Sequence, residues 1–97
     1  MTTLSSFIES DLEAIADYIA QDNPERAVSF IGEIRREFRQ IERNALLYRL
    51  RPEIGEDARV AVVGRYVILF RITQAEKHHV RIERVLFGGR NLPALFQ

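Results

Sequence analysis

The chain contains no cysteine, a single lysine and few conformational breakers, with three prolines and five glycines in 97 residues. Without cysteine, neither a disulfide nor a thiolate metal site can form. No apolar run approaches the roughly 20 residues needed to span a bilayer. Nothing at the N-terminus resembles a basic-then-apolar signal peptide. A cytoplasmic protein without a membrane role is expected. There is no internal repeat and no low-complexity segment, so each glycine and proline reads as local punctuation.

What is present is the composition of an ordinary globular chain, 46% hydrophobic and 29% charged. At this length one domain, residues 1–97, is expected, burying roughly two-thirds of the surface of the unfolded chain around one core. Net charge is zero but unevenly placed. Residues 1–48 carry nine acids and five bases, and residues 49–97 carry five acids and nine bases, so the halves differ as −4 and +4. Thirteen of the fourteen bases are arginine, the side chain suited to bidentate contact with carboxylate or phosphate.

Residues 66–72 (YVILFRI) are aromatic, β-branched and bounded by turn signals, which predicts a central strand. Gly64 stands first in a two-residue connection and suits a type II′ turn, pairing residues 58–63 antiparallel with residues 65–73. A polar loop at 74–78 leads to a third strand over 79–87. Tyr66, Ile68, Phe70 and Ile72 share one face by the period of two and need a cover. Two helices supply it. Ile8, Leu12, Ile15 and Ile19 line one face of a helix over 6–22, whose other face is acidic with no base. Asn23, Pro24 and Glu25 then cap and open a second helix over 24–43, with Ala27, Ile31, Ile34, Phe38 and Ile41 on its apolar stripe. Residues 2–4 are placed as a short edge strand. The fold class is therefore α+β: a short N-terminal strand and a helical hairpin packed on an antiparallel three-stranded meander. Leu46, Leu47, Tyr48 and Leu50 are expected to tuck under the sheet, and the apolar tail, residues 92–96, to dock on the domain or join two copies of it.

Signals for chemistry are sparse. His78 and His79 have no further histidine or cysteine to complete a metal site. No serine stands in a recognisable order with histidine and an acid, and the G-G-R-N of residues 88–91 is no phosphate loop. No catalytic residue, metal or cofactor is assigned. Arg84 is more informative, because alternation places it in a row with Val80, Ile82 and Leu86, and a charge in an apolar row needs a partner. That partner is either an acid of the chain itself or a phosphate or carboxylate of another molecule.

Taken in order, Leu4-Ser5, the DLEAIADYI of residues 11–19, Asn23-Pro24, Ala27, Gly64, Tyr66, Arg84-Val85-Leu86, Gly88 and Arg90 form a pattern that resembles the RelE/ParE toxin superfamily, and within it the ParE branch, the toxins of type II toxin–antitoxin (plasmid stabilisation) modules. The resemblance covers nearly the whole chain and implies the α+β fold already described. Ribosome-dependent members cut mRNA with lysines and arginines on the sheet and, in many, a tyrosine near the C-terminus. ParE-like members lack that set and act on DNA gyrase. In this chain Val67 follows the central-strand tyrosine where the mRNA-cleaving pattern has arginine, Lys77 is the one lysine, and no tyrosine follows Tyr66. Phe87 stands where ParE-like members often carry histidine.

The resemblance thus implies a non-enzymatic inhibitor of DNA gyrase. A ParD-like antitoxin would neutralise it in a hetero-oligomer, and no specific nucleic-acid binding is expected of the toxin alone. The alternatives are an mRNA endonuclease acting on the ribosome and a degenerate toxin that only binds antitoxin. Target contacts are assigned to Arg84, Gly88, Gly89 and Arg90. Antitoxin contacts are assigned to Leu50, Leu69, Arg71, Arg84, Val85 and Arg90, the basic half receiving an acidic amphipathic segment.

Overall fold

A computed structural model describes residues 1–89. The elements run β1 (Thr2–Leu4), α1 (Ile8–Ala20), α2 (Pro24–Asn44), β2 (Arg59–Val63), β3 (Tyr66–Gln74) and β4 (His79–Phe87), with short 3-10 turns at Ala45–Leu47 and Ala75–Lys77. The sheet order is β1-β4-β3-β2. The last three strands form the expected antiparallel meander, and β1 adds to it parallel to β4, with Thr2 opposite Val80 and Leu4 opposite Ile82. The sheet is therefore mixed, and the expected α+β arrangement holds.

The second helix begins as its sequence dictates: the Asn23 side chain accepts the Arg26 amide at 3.0 Å, and Pro24 fills the first turn, where its missing N–H is no loss. The first helix starts two residues later than its capping pattern predicts. Ser5 accepts from the Phe7 amide, but its hydroxyl donates to the Glu83 carbonyl, so it ties the chain to the sheet as much as to the helix. Gly64 adopts φ 58° while Arg65 does not enter the left-handed region, which is the type II′ connection between paired Val63 and Tyr66. A Cβ at Gly64 would also lie 3.3 Å from the Phe30 ring.

Ile8, Leu12 and Ile15 of α1 and Phe30, Ile34, Phe38 and Ile41 of α2 pack on Ile68, Phe70, Val80, Ile82 and Val85 of the sheet. Ile19, Ile31, Tyr66 and Ile72 close its margins, half-buried. A second, smaller core lies on the opposite face, where Ile54 and Ala58 of the 48–58 connection meet Val60, Val67, Leu69 and Leu86.

Two expectations are corrected. The row Val80, Ile82, Arg84, Leu86 does not exist, because β4 carries a bulge: Leu69 pairs with Arg84 but Phe70 with Ile82, leaving Glu83 unmatched. One extra residue reverses the alternation, so Val80, Ile82 and Val85 face the helices and Leu86 faces the second core. The leucines after α2 also fail to tuck under the sheet, Leu46, Leu47 and Leu50 being 66%, 83% and 46% exposed. Ile54 and Ala58 take that place. Of the four residues expected there, Tyr48 alone turns inward, its ring edge-on to Phe70 at 5.5 Å and its hydroxyl donating to Glu37 at 2.7 Å.

Two outcomes are expected. Phe38→Ala removes a buried ring from the centre of the α2 stripe and lowers unfolding free energy by about 3–5 kcal/mol, read from urea denaturation. Burial first, and the Glu37 contact second, push the Tyr48 phenol up to about 12. Folding thus favours the neutral phenol, and its stabilisation is present below the ordinary value of about 10 and lost as pH rises through the folded one. A phenolate absorbance step near 12 should disappear in Tyr48→Phe, together with part of the alkaline loss of stability.

Candidate functional site

The bulge of β4 is where α1, the N-terminal strand and the sheet are joined. Asp11 lies on the apolar stripe of α1, among Ile8, Leu12 and Ile15, and is 8% exposed. Its carboxylate accepts three hydrogen bonds: from Arg84 Nε and Nη2, both at 2.9 Å, and from the Val85 amide at 3.0 Å. The fork matches the two carboxylate oxygens, and the amide it satisfies is one that the bulge turns away from the strand ladder. The Phe7 ring lies under the guanidinium, 4.6 Å from ring centre to Cζ. This pairing raises the already high pKa of Arg84. Ser5 completes the junction through its amide to the Ile82 carbonyl and its hydroxyl to the Glu83 carbonyl.

Of the two kinds of partner the sequence leaves open for Arg84, the structure supplies an acid of the chain itself, so its further assignment as a surface contact does not hold. Leu69 and Val85 are not surface residues either, at 0% and 1% exposed. Alternation puts Leu69 in the second core, and the bulge turns Val85 to the helices. Arg71 pairs with Asp57 at 2.8 Å and stands 3.9 Å from Glu83. Glu83 Oε1 lies 2.7 Å from Arg81 Nε, near enough for charge pairing but not aligned as a hydrogen bond. Leu50 is exposed, bridged to Arg59 at the β2 edge. Since Arg59 is opposite Phe70 and Phe70 opposite Ile82, Leu50 and the Arg84 region lie on the order of 14 Å apart across the sheet. The residues assigned to the antitoxin therefore do not form one patch. Arg90 lies outside the described residues, as does the tail beyond it.

Gly88 and Gly89 are placed together at the end of β4, against the β2–β3 turn. The Gly88 amide donates to the Arg65 carbonyl at 2.9 Å, and a Cβ there would sit 3.3 Å from that oxygen. At Gly89 a Cβ would come within 2.7 Å of the Phe87 ring, so a side chain there would displace that ring. Beside the glycines opens a cavity of about 660 Å³, formed where the loop between the helices, the β2–β3 turn and the end of β4 converge. Phe30 and Tyr66 form its floor, Tyr18, Ile19 and Phe87 its walls, and Arg26 and Arg65 its rim. Burial first, then the neighbouring Tyr18, raises the Tyr66 phenol pKa. Sequence reasoning missed both Asp11 and this cavity. A signal existed for each: Asp11 sits at helical spacing within an apolar stripe, and Tyr18 is a large aromatic off that stripe.

A helical hairpin covers one face of a four-stranded sheet, with arginines and aromatics gathered at the end of the last strand, in a small α+β protein. A family profile described as the ParE toxin of type II toxin-antitoxin system, parDE, matches residues 4–92. The chain belongs to that family. It is similar in fold to a solved structure described as a chromosomal ParDE TA system from P. aeruginosa, with a TM-score of 0.73 and 20% identity over 89% of this chain and 92% of that one. A search of curated proteins found no match.

Asp11→Ala should destabilise the protein by about 3 kcal/mol, because it leaves the Arg84 guanidinium and the Val85 amide without their acceptor. In the double variant with Arg84→Ala the loss should fall short of the sum of the singles by about 1 kcal/mol or more, as a double-mutant cycle in urea would measure.

Proposed function

We propose that this ParE-family toxin inhibits DNA gyrase by binding, without covalent chemistry, and that a ParD-like antitoxin neutralises it. The observation that carries the reading is what occupies the place of the mRNA-cleaving set. Cleavage needs groups that neutralise a developing phosphorane charge and move two protons. Val67, where the mRNA-cleaving pattern has arginine, is 8% exposed and packs into the second core. Lys77 belongs to the 3-10 turn before β4, and Tyr66 is the last tyrosine of the chain. Arg84 is tied to Asp11. An inhibitor that binds needs only a complementary surface, and the +4 of residues 49–97 favours an acidic protein patch or enzyme-bound DNA. A gyrase target places the action of the toxin in the cytoplasm. Gly88, Gly89 and Arg90 are retained as target contacts.

For the antitoxin, the reading is an acidic segment that folds onto the basic half, covering exposed Leu50 and Arg71, with Arg90 kept as a further contact from the sequence. Arg84→Glu would set a like charge against Asp11 and test folding rather than binding. Leu50→Glu is the cleaner variant. Titrating toxin with the product of the neighbouring gene should give a complex that weakens with salt and is lost in Leu50→Glu; one indifferent to both would reject this surface.

The target is decided by expressing the toxin without antitoxin and running two assays in parallel. Supercoiling by purified gyrase should be inhibited, while transcripts on translating ribosomes stay intact. Cleaved transcripts with unaffected gyrase would establish the endonuclease instead, and inactivity in both would mark a degenerate toxin that only binds its antitoxin.

A further inference from the structure

The cavity at the end of β4 has a composition that selects its occupant. Among the described residues its lining holds no carboxylate. Arg26 is shared with Glu33 and lies over the Phe30 ring, 5.1 Å from its centre. The Arg65 guanidinium has no side-chain partner among the described residues. Two of the walls are large and open to solvent, Tyr18 at 68% and Phe87 at 47% exposed. Single exposed aromatics are ordinary, but here they meet around one concavity with an unpaired cation at its rim.

The ring geometry favours a side chain over a nucleobase. Phe30 and Tyr66 are tilted by 54°, and Tyr66 and Phe87 stand nearly perpendicular, at 79° and 6.0 Å. The rings form a bowl, whereas stacked bases need a flat platform. Charge points the same way. The wall residue Tyr18 belongs to α1, whose exposed side carries Glu9, Glu13 and Asp17 and no base, so a phosphate chain laid beside it would be repelled. A segment with one or two carboxylates placed over Arg65 would not.

We propose that this bowl is the anchor point for the target: it receives one aromatic or large branched side chain from an acidic segment of gyrase, whose carboxylate meets Arg65. The proposal rests on the gyrase reading and adds the site and the chemistry recognised. The bowl adjoins Gly88 and Gly89, and it lies away from the Leu50 edge assigned to the antitoxin. Phe87 is then a wall of the binding site and not a defect of it.

Two measurements test this on the full chain and on Phe87→Ala and Arg65→Glu, each checked for folding by its complex with the antitoxin. Since the protein has no tryptophan, the emission of an acetyl-Glu-Trp-Glu-amide peptide reports its own burial. A blue shift is expected with wild type, none with Phe87→Ala, and with Arg65→Glu a reversal of preference to acetyl-Lys-Trp-Lys-amide. In the supercoiling assay both variants should need about tenfold or more toxin for half inhibition while still binding antitoxin, the loss typical of a contact that anchors an interface. Variants that inhibit gyrase as well as wild type, absence of any peptide shift, or preferential binding of oligothymidylate would overturn the proposal. Wild type inert towards gyrase overturns the reading beneath it, an outcome distinguishable because the variants then have no inhibition to lose.

Discussion

The three hydrogen bonds to Asp11 hold together parts of the molecule that hydrophobic burial alone would leave free to slide. Apolar contact between α1 and the sheet is strong but non-directional, and a sheet strand can slip in register by two residues without changing which side chains are buried. Asp11 removes that freedom. It fixes one turn of α1 against two adjacent residues of β4 by accepting from both the Arg84 fork and the Val85 amide. Ser5, bonded to the Ile82 and Glu83 carbonyls, locates the start of α1 over the same point. The bulge makes this possible, since it frees an inward-pointing amide and brings the Arg84 side chain round the edge of the sheet where β1 has ended. A largely buried ion pair adds less stability than its Coulomb attraction implies, because both charges lose water. Its contribution here is to position, and what it positions is the end of β4.

The fold was legible wherever one period ran without interruption. The stripes of α1 and α2 and the alternation of β3 placed their residues correctly because each is a long run of one pattern against one core. Legibility failed at the interruption. Nothing in VRIERVL announces that Glu83 is unmatched; the alternating row Val80, Ile82, Arg84, Leu86 is as regular as that of β3, and the acid that meets the bulge, Asp11, is 73 residues away from Arg84 in sequence. Reading past it misplaced Val85 and left the partner of Arg84 open. Leu69 failed differently: its strand and face were correct, but the face is buried by Ile54 and Ala58 from a connection with no period to read. The exposed leucines after α2 are the converse, apolar residues that the described residues do not cover.

The same burial shapes the outer face of the sheet. A position used for catalysis on the outer face of the sheet must be wet or lined by charge, and here that face is closed by a second core that includes Val67 and Leu86. Substituting arginine at 67 would bring a charge into an apolar cluster without a built-in partner, at a cost of several kcal/mol. The packing of the outer face would have to change before a cleavage set could be installed there.

The polar end of the molecule carries the opposite arrangement. Around Gly64, Gly88 and Gly89 the backbone is drawn close by the Gly88–Arg65 hydrogen bond, and a Cβ at Gly64 would press on the Phe30 ring at 3.3 Å while one at Gly89 would displace that of Phe87. Close backbone approach leaves the neighbouring aromatic rings to project outward around a space they do not fill. Phe87 illustrates the consequence. Histidine there could also stand edge-on to Tyr66, but it would add a titratable group beside Arg65, whereas phenylalanine leaves the wall apolar at every pH. Any binding at that end would accordingly be governed by shape and by the fixed charge of arginine, and should be insensitive to pH across the range in which histidine titrates.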